Sequence, residues 1–414
     1  MYEFRTLQNG IRVVAEKIDY LKSISIGVWV GNGSRHESSK ENGISHFIEH
    51  MLFKGTNRRE AVEIARAIDD VGGQINAFTA REYTCFYTKT LDAHVSIALD
   101  VLSDMLFNSR LSAEDMDKER RVIYEEISLY EDSPEDLVYD LISAAAWGDT
   151  SMGRTILGTQ ESLAGITPDI MREYMRTHYT NKNMIISVSG NYGEGFFDLL
   201  EEYFGSRKIS SDDINLPEAV YKPSNLVKTK DIEQVQLVAG FNGIDVMDER
   251  VYSLLVFNNV FGSGMSSRLF QNIREKRGLV YSVCAGHSAY INTGIFDISA
   301  GMNPDNAEKV AELITDEIKR VKSEKLSADE VQRAKEQLKG GYILSYESTG
   351  ARMQGAGRSM LLNKPILTQE EALERIDAVT TDTVADIIDT VLDTKTLSLA
   401  AVGPIEQVDN LFNF

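Results

Sequence analysis

Basic residues are scarce in this chain of 414 residues: 43 Lys and Arg stand against 63 Asp and Glu, a formal charge of −20. A surface of that sign repels phosphate backbones and anionic lipid, so neither nucleic acid nor a membrane is expected as a partner. Cysteine is nearly missing. Cys85 and Cys284 each sit in a β-rich stretch with no partner pattern, which excludes a disulfide scaffold and suits free thiols in a reducing compartment. No apolar run approaches the roughly 18–20 residues that a spanning helix needs. The first residues, MYEFRTLQNGIRVVAEKI, lack a basic segment followed by an apolar one and do not read as a secretory signal. They read as a β-hairpin with Asn9-Gly10 as a two-residue turn. A bacterial cytoplasmic location is expected on that ground.

Proline is also rare, and two of the seven fall in one aperiodic stretch, 207–230. A chain of this length exceeds one ordinary hydrophobic core. The stretch reads as a linker between residues 1–206 and 231–414. The two halves repeat one another. LSAEDMDKERRVIYEEI (111–127) lines up with LSADEVQRAKEQLKGGY (326–342), GRTIL (153–157) with GRSML (357–361), and ITPDIMREYM (166–175) with VTTDTVADII (379–388). Several blocks recurring in the same order mark a duplicated unit. Each half opens with alternating strand-like segments, continues through amphipathic helices and closes with a strand and a helix. The expected fold is α+β: two homologous domains, each a largely antiparallel sheet with helices packed on one face.

Histidine is the third scarcity, six in all, yet two of them stand four apart in SHFIEHMLFKGT (45–56). Ile44, Phe47, Ile48, Met51 and Leu52 follow a helical apolar stripe, which turns His46, Glu49 and His50 to the opposite face. An ordinary solvated face is the bland reading. The chemical reading is a metal site, because imidazoles at i and i+4 bind one Zn²⁺ and the glutamate between them reaches a metal-bound water. Such a centre needs a third protein ligand from another element. The helix beginning at Ser112 offers Glu119 and Glu126 on or beside its stripe of Met116, Ile123, Ile127 and Tyr130. Buried carboxylates there are costly unless paired or metal-bound. Glu126 is the expected third ligand and Glu125 its rival. In the second repeat Arg268, Gln271 and Asn272 replace the motif residues, while Ala334 and Gly341 replace the two glutamates. Residues lost together from one copy belong to one site.

HFIEHMLFKGT with a glutamate 76 positions after its second histidine resembles the insulinase/pitrilysin family of inverzincin metallopeptidases. Within it, the chain is similar to short two-domain members such as the β subunit of mitochondrial processing peptidase. The resemblance implies one zinc per chain on His46, His50 and Glu126, Glu49 as general base, and Glu119 supporting the site. It implies a zinc metalloendopeptidase acting on short or unfolded peptides. REKRGLVY (274–281) resembles a segment that contacts substrate through Arg274 and Tyr281. Gln74, Ile75, Asn76, Ala77 and Phe78 resemble the edge strand onto which an extended peptide adds. The family also implies a homodimer, with the second domain of one chain facing the zinc site of the other. A non-catalytic peptide-binding or structural core subunit of the same fold is the alternative.

Overall fold

The computed structural model describes residues 2–208 and 214–414, so residues 209–213 of the expected linker lie outside the description. A first sheet contains β1 (Tyr2–Thr6), β2 (Arg12–Lys17), β3 (Ser23–Val30), β4 (Gln74–Thr79), β5 (Thr84–Leu91) and β6 (Met184–Gly190), in the order β1-β2-β6-β3-β5-β4. The β2–β6 pair is parallel, and the other neighbours are antiparallel. A second sheet contains β7 (Asn225–Thr229), β8 (Val235–Asn242), β9 (Val280–Tyr290), β10 (Thr293–Met302) and β11 (Ser398–Gly403), in the order β7-β11-β8-β10-β9. Here β7–β11 is the parallel pair. The fold is α+β, as the alternating pattern requires, and the end of the 207–230 stretch is itself the strand β7.

The hairpin β1–β2 differs in its turn. Gly10 N–H donates to Leu7 O and Leu7 N–H to Ile11 O, each at 2.8 Å, so the loop is three residues, Gln8 to Gly10. Gly10 at φ 96° takes the left-handed position that such a loop demands.

Two compact units divide the chain: Met1–Ile127 with Thr155–Pro217 and Ser345–Thr368, and Ser128–Arg154 with Glu218–Leu344 and Gln369–Phe414. In the first unit β3 is buried on both faces. Ile24, Ile26, Val28 and Val30 join a core with Phe47, Ile48 and Ile123. The alternate residues meet the helix Thr349–Leu361: Trp29 packs with Met353, and Ser25 hydrogen-bonds Thr349 at 2.8 Å. In the second unit, Leu237, Ala239 and Phe241 of β8 face one core. On the other face Val238 and Ala400 pack under Val138 and Ile142 of the helix Pro134–Trp147.

Candidate metal centre

The motif helix runs Ile44–Leu52, and its stripe Ile44, Phe47, Ile48, Met51 and Leu52 is at most 1 % exposed. Its N-terminus is held by an acid. The Glu37 carboxylate accepts from Gly43 N–H at 2.7 Å and Ser45 N–H at 2.9 Å, two amides left without helical partners. Burial pushes the Glu37 carboxyl up even against those donors. The opposite face is not a solvated one: His46 is only 8 % exposed.

The second helix, Ala113–Asp132, starts on Ser112, whose Oγ accepts from Asp115 N–H at 3.1 Å. Met116, Glu119 and Ile123 are buried. Tyr130, expected in the same stripe, is 43 % exposed, because the core contacts of this helix end at Ile127. Glu126 is half-buried and turns toward the histidines, while Glu125 is exposed to solvent.

The donor atoms of His46, His50 and Glu126 converge. His46 Nε2 and His50 Nε2 are 3.2 Å apart, and Glu126 Oε2 lies 3.7 Å from the first and 3.6 Å from the second. Two ligands of a tetrahedral zinc are separated by about 3.3 Å. The triangle is close to that size, and a point about 2 Å from all three atoms exists at its centre. Among the described residues these three are the one group of His, Cys, Asp or Glu so gathered.

Neighbouring groups prepare these ligands. His50 Nδ1 lies 2.9 Å from Glu119 Oε1, whose other oxygen pairs with Lys54 Nζ at 2.7 Å. Burial would raise the Glu119 carboxyl, but His50 and Lys54 outweigh it and hold it below the usual range. A donated Nδ1–H leaves His50 Nε2 as a bare lone pair. Burial, with His50 adding repulsion, lowers His46 to about 3, so this imidazole is neutral near pH 7. Two imidazole nitrogens and a carboxylate oxygen facing one point are the donor set that suits zinc.

Glu49 accepts from Thr79 Oγ1 at 2.5 Å, and burial is the main cause that raises its carboxyl. Thr79 and Lys54 escaped the reading of the sequence. Lys54 stands four residues after His50, just past the end of the helix at Leu52, a spacing that was there to be used. Thr79 carried no local signal, since its contact joins positions thirty residues apart.

Gln74, Ile75, Asn76, Ala77 and Phe78 form β4 together with Thr79, and β4 is the outermost strand of its sheet. Arg274 and Tyr281 belong to the second unit and meet each other, the guanidinium standing 5.7 Å from the tyrosine ring centre and 4.8 Å from that of Phe270. Tyr281 is 71 % exposed. Where the repeat lacks the metal residues, an ion pair and a hydrogen bond stand instead. Arg268 pairs with Glu330 at 2.8 Å, and Asn272 donates to buried Glu317 at 2.8 Å.

Residues 12–160 match the sequence pattern of the insulinase family, peptidase family M16, and residues 165–338 match that of the peptidase M16 inactive domain. The chain is 43% identical over 399 residues to an uncharacterized zinc protease of Bacillus subtilis, YmxG, covering 96% of this chain and 97% of that one. It is 38% identical over 411 residues to an uncharacterized zinc protease of Streptomyces coelicolor, covering 97% and 89%. In fold it is similar to a protease from Helicobacter pylori, with a TM-score of 0.91 at 21% identity, covering 98% and 99% of the two chains.

Proposed function

The chain belongs to the insulinase family of peptidases, and from that premise we propose that it is a zinc metalloendopeptidase cleaving short or unfolded peptides. The observation that carries this reading is the triangle of His46, His50 and Glu126 around one point, with the Glu49 carboxylate beside it. When bound there, zinc polarises the scissile carbonyl and makes a water acidic enough to attack near neutral pH. Glu49 takes the proton of the attacking water and returns it to the leaving amine. A carboxyl raised by burial is the stronger base for that task, and the Thr79 hydroxyl fixes its orientation. Glu119 fixes the tautomer of His50 and, through Lys54, is itself neutralised.

The same strand that supplies Thr79 is an open sheet edge. A peptide added to β4 as a further strand runs past Glu49, and main-chain pairing makes recognition tolerant of sequence. We further propose a homodimer in the bacterial cytoplasm, in which Arg274 and Tyr281 of one copy meet substrate at the zinc of the other. Mixed dimers of Tyr281→Phe and Glu49→Gln subunits then regain activity, and inactive mixed dimers exclude the shared site.

The decisive experiment is cleavage of a quenched, unfolded peptide by zinc-loaded protein beside Glu49→Gln. Expected are equal zinc contents and cleavage by the unaltered chain alone. Stoichiometric zinc without any cleavage favours the non-catalytic peptide-binding alternative.

A further inference from the structure

One buried carboxylate of the second unit has no counter-charge among the described residues. Asp297 of β10 is 9 % exposed, and burial alone, with no hydrogen bond or opposite charge against it among the described residues, pushes its carboxyl up to about 6. Its surroundings are small. Across the sheet it faces Gly286 on β9 and Gly240 on β8, and Ser299 faces Cys284 next along. The three heavy atoms nearest to a Cβ built on Gly286 all belong to this carboxyl, the nearest oxygen at 3.4 Å. The carboxylate therefore looks out over bare glycine on an exposed edge strand, where Cys284 and Ser288 of the same face are open to solvent.

The rim is aromatic. Tyr139, 43 % exposed, lies beside Ser299 and feels the Asp297 charge, as does Tyr221. Trp147 stacks edge-on against Tyr221 and Tyr290, each at 5.9 Å. A buried carboxylate without a counter-ion is costly. A divalent metal would need further ligands, and no such group of His, Cys, Asp and Glu surrounds Asp297 among the described residues. An organic cation needs one carboxylate and aromatic walls.

We propose that Asp297, reached over Gly286 and walled by Tyr139 and Tyr221, is a binding site for an organic cation, a primary ammonium or a guanidinium. Taken with the peptidase reading, on which this step rests, the cation is a lysine or arginine side chain of a bound peptide; a free amine carries the same chemistry.

The test uses full-length Glu49→Gln protein and two fluorescent peptides that differ only in lysine against norleucine, with binding read by anisotropy. A charge-assisted hydrogen bond supports a lysine preference of about tenfold or more. Asp297→Asn abolishes that preference by removing the charge, and Gly286→Val by closing the access, so loss in both supports the site. Equal affinity of the two peptides for the parent protein overturns it and leaves the peptidase reading intact. Binding of neither peptide counts against the peptide reading itself, and lysine amide, followed by tryptophan fluorescence, then tests the site directly. A response that Asp297→Asn removes assigns it to free amines. No response up to millimolar lysine amide overturns it.

Discussion

His50 turns its Nδ1 to Glu119 Oε1 at 2.9 Å and so presents only Nε2 to the point shared with His46 and Glu126. Glu119 touches no reacting atom in this arrangement. It acts through the imidazole, fixing which nitrogen carries the proton and how the ring is turned. Glu119→Gln keeps the shape and removes the charge that Lys54 and His50 share. The expected result is a zinc affinity weaker by about 10–100-fold, measured by competition with a chelator. An unchanged affinity reduces Glu119 to a packing residue.

Glu125 and Glu126 adjoin in sequence, and one residue on a helix is a turn of about 100°. Glu126 lies with the histidines; Glu125 faces water. Glu126→Gln is expected to lose stoichiometric zinc, whereas Glu125→Gln retains it. Metal content of the two purified variants decides the matter, and the reverse result assigns the third ligand to Glu125.

Thr79→Val deletes the hydroxyl that donates to Glu49 while nearly preserving volume. A hydrogen bond to the charged carboxylate favours ionisation, so its loss raises the Glu49 carboxyl further. The acid limb of kcat/KM then moves to higher pH, with zinc content unchanged. An unmoved limb shows that Thr79 does not govern the base.

Much of this was legible because helical spacing is local. The i, i+4 histidines, their apolar stripe and the capping serine at 112 each lie within one turn or two, where sequence distance and space agree. The repeat also exposed the site by deletion, since Arg268, Asn272 and Ala334 occupy places that the other copy gives to titratable groups. What stayed hidden depends on contacts distant in sequence. Thr349 and Met353 come from the second repeat yet pack on Trp29 and Ser25 of the first sheet. Their helix carries an ordinary amphipathic pattern that names no partner. The three-residue loop at Gly10 was missed for a different reason: Asn-Gly suits both a two-residue turn and the end of a longer one.

Asp104 governs the acid stability of the loop that follows the motif helix. Burial raises its carboxyl, but bonds from Thr56 at 2.7 Å, Asn108 at 2.8 Å, Arg58 at 2.9 Å and Arg59 at 2.7 Å outweigh that and hold it at about 2. The folded value lies below the unfolded one, so the contribution is complete above about pH 4 and disappears as the pH falls through 2. Asp104→Asn is expected to cost about 2 kcal/mol at pH 7, with the difference shrinking between pH 4 and pH 2 in urea titrations. A gap of constant size across that range rules out the charged form as its source.

Gly357 tests the helix from the second repeat most directly. A Cβ there falls far inside contact distance of Trp29 Nε1 and at 2.7 Å from Ser187 Oγ, the pair that already hydrogen-bond at 2.8 Å. Neither can retreat, because Trp29 and Ser187 are both buried. Gly357→Ala should therefore destabilise the protein by about 1–3 kcal/mol through overpacking, against the usual gain from alanine in a helix. Gly355, two residues earlier, has nothing within 4 Å of its Cβ. There the same substitution should stabilise by about 0.4–1 kcal/mol. Opposite signs in thermal melts follow only if the face bearing Gly357 lies against Trp29, and two stabilised variants would detach this helix from the first sheet.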